Sequence, residues 1–327
     1  MKFKSFLITE ENGDFKRNII EKDITELPAH DTLIKVSYSS LNYKDALSSS
    51  GNKGVTRNYP HTPGIDAAGV IVESSNENLK PGTEVLVTGY DFGMNTSGGY
   101  QEYIKVPSEW VVPLPKGLTL KESMIYGTAG LTAAISVYKL VVKGEVKPED
   151  GEILVTGATG GVGSIATMLL KKLGYEVVAV TGKLQEIDYL LEIGASKVIH
   201  RDELAATSKP MLRGVYAGVI DTVGGNILST ALKALKYNGV ATACGNAAGV
   251  SFESSVFPFI LRGVTLYGVD SVEISMKERT IIWEKLAQDW KVEGLDKVLN
   301  EVTLNELSDK IDSILAGTNV GRVLVKL

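Results

Sequence analysis

The sequence predicts a two-domain α/β protein, in which a β-rich N-terminal domain precedes a doubly wound parallel sheet. Three observations carry this expectation. The 327 residues exceed what one hydrophobic core normally organises. Near Pro113 to Leu120, "PLPKGLTL", short alternating runs between Gly and Pro turns give way to repeated strand and helix units. Further on, in "GEILVTGATGGVGSIATMLL" (Gly151 to Leu170), the apolar run Ile153-Leu154-Val155 meets a glycine cluster and then a helical pattern. A chain turns from a buried strand to a helix around a phosphate in this way.

Taken in order, "TLIKVSYSS" (Thr32 to Ser40), "EVLVTG" (Glu84 to Gly89) and "QEYIKV" (Gln101 to Val106) read as the small strands of the first domain. "EILVTG", "EVVAVTG" (Glu176 to Gly182), "SKVIH" (Ser196 to His200), "GVIDTVG" (Gly218 to Gly224), "GVATACG" (Gly239 to Gly245) and "VTLYG" (Val264 to Gly268) are apolar throughout. Strands of that kind are buried on both faces, which implies parallel pairing with helices such as Ile227 to Lys236 between them. From about Val272 the tail reads as one long helix and a closing strand, "GRVLVKL", that returns to the first domain.

Composition excludes several function classes. A hydrophobic content of 44% and a charged content of 22% are ordinary for a globular protein. The net charge of -5, with no basic face, argues against nucleic acid as a partner. "MKFKSFLITEENGDF" turns polar too soon for a signal peptide, and no window reaches the apolar length of a membrane span. The single cysteine, Cys244, allows neither an internal disulfide nor a thiolate zinc cage. A cytoplasmic protein without nucleic acid or membrane partners is the expectation.

Ala158-Thr159-Gly160-Gly161-Val162-Gly163 is the dinucleotide-binding G-x-G-x-x-G pattern with Ala in the first place. Gly160 lets backbone approach a pyrophosphate, Gly163 lets the helix pack on the strand, and the helix N-terminus offers free N–H groups. The bland alternative is a tight turn with no ligand. An NAD site usually carries an acidic residue about 20 residues on, at the end of the second strand. Here that strand ends in Thr181, Gly182 and Lys183, a small neutral platform and a cation, which favours the 2′-phosphate of NADPH. The alternative makes Lys183 an ordinary solvated lysine and leaves Glu186 to face the ribose.

"LNYKDAL", "PGIDAAGVI", "GTAGLTAA", "VTGATGGVG" and "PFILRGVTLYGVDS", in that order, resemble the zinc-independent quinone oxidoreductase branch of the medium-chain dehydrogenase/reductase superfamily. The likeness is greatest to its bacterial subgroup related to acryloyl-CoA reductases, and it covers nearly the whole chain. The resemblance implies a GroES-like domain over 1–122 and 273–327, a Rossmann domain over 123–272, NADPH in the cleft between them, and a homodimer joined through the Rossmann sheets. It also implies that Thr128, Gly245, Asn246, Leu261 and Arg262 approach the nicotinamide half of the cofactor, with Arg322 near it. Thr128 as a helix cap, and Arg262 and Arg322 as surface ion-pair partners, are the plainer alternatives.

Zinc alcohol dehydrogenases share this superfamily, and an open catalytic zinc site needs three protein donors. Asn42-Tyr43-Lys44-Asp45 stands where the catalytic Cys segment would be, and Gly64-Ile65-Asp66 replaces Gly-His-Glu, so no metal is expected. His61, in "YPHTPG", reads as packing a Pro-bounded turn. Without a Lewis acid, hydride addition to an electron-poor double bond remains accessible, which favours a quinone, enone or enoyl thioester as the acceptor. Asn42 is the expected polar contact of nicotinamide and acceptor, unless it serves as the N-cap of "YKDALSSS". Tyr43 and Asp45 are further catalytic candidates. Tyr90 either lines the substrate cleft or packs in the β domain, and Cys244 reads as core. A protein of another class, an NADPH-binding sensor with little turnover, would carry the same glycine loop.

Overall fold

The computed structural model describes all residues from Met1 to Leu327. The first half runs β1 (Lys2–Glu11), β2 (Asp14–Asp23), β3 (Thr32–Leu41), α1 (Tyr43–Ser49), β4 (Asp66–Ser74), β5 (Glu84–Thr88), β6 (Tyr103–Val106), β7 (Val111–Pro113) and α2 (Leu120–Tyr138). Next come β8 (Ile153–Val155), α3 (Gly161–Lys172), β9 (Val177–Thr181), α4 (Ile187–Glu192), β10 (Lys197–His200), β11 (Tyr216–Asp221), α5 (Gly225–Lys233) and β12 (Leu235–Ala243). The chain closes with α6 (Phe257–Arg262), β13 (Thr265–Gly268), α7 (Met276–Ala287), β14 (Leu299–Thr303), α8 (Leu307–Leu315) and β15 (Arg322–Lys326).

Two compact units emerge, and each has its own core. The first comprises Met1–Thr128, Val272–Ala287 and Leu299–Leu327. Its main sheet has the strand order β14-β15-β3-β4-β5-β7, with β6 also on β3, and a separate antiparallel pair joins β1 to β2. Antiparallel pairing sets Asp66 of β4 beside Thr88 of β5, and Leu41 of β3 beside Val323 of β15. One end of this sheet therefore collects the end of β3, the start of β4, the end of β5 and the start of β15. Ile34, Val36, Ala67, Ile71, Val85 and Val87 bury one core against Phe92 and Ile104.

The second unit comprises Ala129–Ser271 and Gln288–Val298. Its six strands run β10-β9-β8-β11-β12-β13, and every pairing is parallel. β8 and β9 are buried at every residue, as strands covered on both faces must be. The order reverses between β8 and β11, and a doubly wound sheet takes its ligand at the carboxyl edge of that point.

Three expectations need correction. The tail is not one long helix: α7 and α8 are separated by β14, and Gln288–Val298 joins the second unit. Gly294, in the left-handed region at φ 69, lies in that interruption. The first unit breaks off at 128 rather than 122, inside α2, and resumes at 272 rather than 273, ahead of α7. A stretch long and apolar enough to cross a membrane does exist, Leu120–Lys143, of 24 residues. Its most apolar window is 72% buried, as a core helix would be, and a break at Gly127 (φ 50, ψ -156) divides it.

Candidate functional site

In the second unit the site begins where β8 ends. Gly157 takes φ 59, and a Cβ there would meet Thr222 Oγ1 at 2.4 Å. The turn is fixed from below by Asp221, whose Oδ1 accepts the Thr156 hydroxyl at 2.7 Å and whose Oδ2 accepts the Gly224 N–H at 2.7 Å. Burial raises the Asp221 pKa, while the bonds from Thr156 and Gly224 oppose the shift. Ala158 and Thr159 are buried, and Gly160 is the N-cap of α3 without a side chain to occupy it. At Gly163 an added Cβ would meet Gly157 O at 2.4 Å, so only glycine lets α3 pack this closely. The first N–H groups of α3, at Gly161, Val162 and Gly163, have no acceptor within the helix. This cradle fits the pyrophosphate of a dinucleotide.

At the end of β9, Thr181 is buried and its Oγ1 accepts the Lys183 N–H at 3.0 Å. Gly182 is exposed, and a Cβ on it would lie 2.9 Å from Arg201 Nε. β10 pairs His200 with Thr181, which brings Arg201 alongside the second strand's end. The platform thus carries two cations, Lys183 and Arg201, and it fits a 2′-phosphate. Arg201 escaped the sequence reading because its neighbour is set by sheet pairing. Desolvation lowers the Lys183 pKa, partly offset by the charge of Glu186, so that carboxylate lies near the lysine.

Gly245 and Asn246 emerge, exposed, at the carboxyl end of β12. Gly245 is required there, because a Cβ would lie 1.9 Å from Thr222 O. Arg262 is different: Nη1 donates to Lys233 O at 3.1 Å and Leu235 O at 2.6 Å, and Nη2 donates to Leu212 O. Lys233 ends α5, Leu235 starts β12 and Leu212 precedes β11, so these carbonyls lie at the end of the sheet opposite the glycine loop. The expected cofactor contact of Arg262 is therefore corrected to a structural tie. Leu261, in the same last turn of α6, is 60% exposed.

In the first unit the sheet end described above holds a buried polar cluster around Asp66. Its Oδ1 accepts the Thr128 hydroxyl at 2.6 Å, and both carboxylate oxygens accept the Thr128 N–H. Its Oδ2 accepts the Asn42 amide at 2.8 Å and the Ser40 hydroxyl. Arg322 donates to Ser40 Oγ at 2.9 Å, Asn42 Oδ1 at 3.3 Å, Ile125 O at 2.8 Å and Leu41 O at 3.4 Å. Burial lowers the guanidinium pKa and the charge of Asp66 opposes this. Gly127 gives the cluster its space, since a Cβ there would sit 2.5 Å from Ser40 Oγ. Sequence reading singled out Asn42, Thr128 and Arg322 but missed Ser40 and the central role of Asp66.

Asp45, in the first turn of α1, lies beside this cluster. Oδ2 accepts the Asn42 N–H at 2.9 Å and its amide at 3.2 Å, and Oδ1 accepts the N–H groups of Gly64 and Ile65 at 3.2 and 2.8 Å. Burial, then the charge of Asp66, pushes its pKa up to about 7. Asn42 is the residue before α1, and Asp45 reaches back to its N–H. Its amide donors are committed to Asp66 and Asp45, so it is a framework residue rather than a free donor. Tyr43, by contrast, is 52% exposed. Tyr90, half-buried, has its ring stacked on Trp110 at 5.4 Å. His61 is buried as a packing residue, with Nε2 donating to Gly93 O at 3.0 Å. Cys244 also packs: its Sγ donates to Asp221 O at 3.3 Å, and burial pushes the thiol up to about 12.

Zinc does not fit the Asp66 cluster. Both Asp66 oxygens are already engaged, a guanidinium sits where a dication would need room, and the surrounding donors are hydroxyl and amide groups rather than Cys or His.

Comparisons with known proteins agree with this architecture. The family model "Alcohol dehydrogenase GroES-like domain" matches residues 28–116, and "Zinc-binding dehydrogenase" matches 161–288. The chain is 44% identical to "Putative quinone oxidoreductase YhfP" of Bacillus subtilis, over 98% of each chain. It is 42% identical to acrylyl-CoA reductase AcuI of Ruegeria pomeroyi, over 97% of this chain and 96% of that one. Among solved structures, the yhdH oxidoreductase of Salmonella enterica in complex with NADP superimposes with a TM-score of 0.96 at 40% identity, over 100% of each chain. Escherichia coli YhdH with bound NADPH gives 0.95 at 42%, over 98% of this chain and 99% of that one. Bacillus subtilis yhfP with NAD bound gives 0.97 at 42%, over 100% of each. A GroES-like domain joined to a doubly wound dinucleotide sheet defines a class of oxidoreductase enzymes. The chain belongs to the medium-chain dehydrogenase/reductase superfamily, in the group that contains these quinone oxidoreductase and acrylyl-CoA reductase relatives.

Proposed function

We propose that this enzyme binds NADPH and delivers hydride to a conjugated acceptor, a quinone, an enone or an enoyl thioester of the acryloyl-CoA type, without zinc. The observation that carries the reading is the Asp66 cluster, in which Arg322, Asn42 and Thr128 surround the carboxylate that stands where a zinc ligand would be sought. A reduced nicotinamide supplies the hydride when it is bound. With no Lewis acid to polarise a simple ketone, the acceptor itself must be electron-poor, and the names of the relatives point to the same acceptors. NADPH is favoured over NADH because Lys183 and Arg201 flank the small platform at Gly182.

The chain's own part is to orient and to hold charge. The α3 N-terminus and Gly160–Gly163 receive the pyrophosphate. Asn42, tied to Asp66, Asp45 and Arg322, fixes the turn from which the exposed Tyr43 is presented, and Tyr43 replaces Asn42 as the candidate donor to the developing oxyanion. Self-association into a homodimer is part of the same proposal. β13 is a sheet edge, and the neighbouring Val256, Phe257 and Ile260 are exposed at 63%, 41% and 67%. The proposed compartment is the cytoplasm. The test is to mix protein, NADPH and a panel of 1,4-naphthoquinone, an enone and acryloyl-CoA, and to follow nicotinamide absorbance. Oxidation with conjugated acceptors and little with saturated aldehydes supports the reading, whereas binding of NADPH without oxidation by any of them favours a sensor.

A further inference from the structure

The guanidiniums of Arg262 and Arg322 are tied down by carbonyls and side-chain oxygens. That of Arg201 is not: the exposed side chain makes neither a hydrogen bond nor an ion pair with any protein group. It lies across Gly182 all the same, where an added Cβ would meet Arg201 Nε at 2.9 Å, Cδ at 3.0 Å and Cζ at 3.1 Å. A long side chain without contacts of its own can be aimed only by the backbone that carries it. That backbone is fixed on two sides. Before Arg201, β10 pairs with β9, which sets His200 opposite Thr181. After it, the chain enters a short helical turn, Arg201–Leu204, whose last residue is buried in the core of the second unit. His200 is the N-cap of this turn. Its Nδ1 accepts the Asp202 N–H at 3.4 Å, and its own N–H donates to Glu203 Oε1 at 3.3 Å. Nδ1 also stands 3.3 Å from Asp202 Oδ2, so a neutral imidazole holds the turn through the N–H of Asp202 and a protonated one through its carboxylate. Ser, Thr, Asn and Asp are the ordinary N-caps. Here a histidine takes that place, immediately before the cation.

We propose that His200 is a positioning residue for nucleotide selectivity: by capping the Arg201–Leu204 turn it aims the Arg201 guanidinium over Gly182, where it meets the 2′-phosphate of NADPH. The inference rests on the reading that the platform at the end of β9 receives that phosphate. NADH carries a hydroxyl at the same place, so a misaimed Arg201 costs affinity for NADPH alone.

The experiment titrates the full-length protein calorimetrically with NADPH and with NADH, in the parent and in His200→Ala, His200→Asn, Arg201→Ala and the double variant of His200→Ala with Arg201→Ala. The imidazole is 32% exposed, so its removal takes the acceptor from the Asp202 N–H without opening the core. The expected result for His200→Ala is a Kd for NADPH raised roughly fivefold, within the range that a lost cap allows, with NADH binding unchanged. His200→Asn, which can still accept the Asp202 N–H, should restore the parent value. In the Arg201→Ala background the loss of His200 should add nothing, because the one residue acts through the other. An unchanged Kd in His200→Ala overturns the proposal, as does an equal weakening of both nucleotides or an effect that survives without Arg201. A His200→Asn protein as weak as His200→Ala overturns the capping explanation. Failure of the phosphate reading is seen separately, as a parent protein that holds NADPH no more tightly than NADH, and it overturns the role of His200 with it.

Discussion

Thr128 donates both its hydroxyl and its backbone N–H to the carboxylate of Asp66, at 2.6 Å and at 2.9 to 3.0 Å. A short side chain is thereby locked to a fully buried acid, whose charge Arg322 balances. Removing one member leaves the other buried and unpaired. Asp66→Ala should lower the unfolding free energy by roughly 3–5 kcal/mol, and Arg322→Met by a similar amount. The double variant should lose less than the sum of the two, because the uncompensated charge is gone. Denaturant unfolding of the four proteins checks this, and simple additivity would contradict it.

Asn42 lies in the same network, so its substitution cannot leave the fold untouched. Asn42→Ala should cost about 1–3 kcal/mol, since Asp66 and Asp45 each lose a donor. If Tyr43 is the donor to the developing oxyanion, Tyr43→Phe should lower turnover by a factor of about 10² or more with stability nearly unchanged, because Tyr43 is exposed. Parallel measurements of kcat and of the unfolding midpoint separate the two roles.

The doubly wound sheet was legible because its signals are local: continuous apolar strands, and glycines at fixed offsets before α3. The first unit was read less completely. The β1–β2 hairpin went unread although Asn12-Gly13 turns it, with both residues at positive φ, and Asn-Gly between strands is a strong hairpin signal. The Asp66 cluster was out of reach for another reason. Ser40, Asp66, Thr128 and Arg322 are far apart in sequence, and only strand pairing and the break at Gly127 bring them together. Arg262 was misplaced because its role was carried over by resemblance, and a shared segment says nothing about which end of the sheet its guanidinium reaches.

The pair Lys183 and Arg201 should set the preference for NADPH. Lys183→Ala and Arg201→Ala should each weaken NADPH binding by roughly tenfold and leave NADH binding nearly unchanged. Lys183→Glu should do more, because repulsion of the phosphate adds to the lost attraction. Titration with both nucleotides at low and high salt is the check, and an equal loss for NADH would remove the assignment. The relative crystallised with NAD makes the unsubstituted comparison informative in its own right.

Two glycines at this site should respond differently to alanine. At Gly163 the new methyl meets backbone, with Gly157 O at 2.4 Å and Ala158 Cα at 2.7 Å, so α3 must move away from β8. Gly163→Ala should therefore cost about 1–3 kcal/mol and lower affinity for either nucleotide. At Gly182 the methyl meets only the Arg201 side chain, an exposed group that can swing aside. Gly182→Ala should leave stability close to that of the parent and affect NADPH alone. Thermal unfolding and nucleotide titration distinguish them.

The last prediction concerns pH and Asp45. Burial, then the charge of Asp66, raises its pKa from 3.8 to about 7 in the folded chain. The folded state therefore binds a proton that the unfolded state has released between these values. Stability from this group is full below about pH 4 and is lost as pH rises through 7. Asp23 shifts the other way, to about 2, held by hydrogen bonds from Thr25 and the N-terminus, so its contribution disappears only on acidification below about pH 4. Between pH 5 and pH 8 the buried His61, its pKa lowered by burial, contributes with the opposite sign, so it is the comparison with Asp45→Asn that isolates Asp45. Unfolding free energy of the parent should fall across that window by more than that of Asp45→Asn, which cannot ionise there. The N–H groups of Asn42, Gly64 and Ile65 pull in the opposite direction by favouring the carboxylate. If those donors win, the parent and Asp45→Asn will show the same dependence on pH, and Asp45 is ionised throughout.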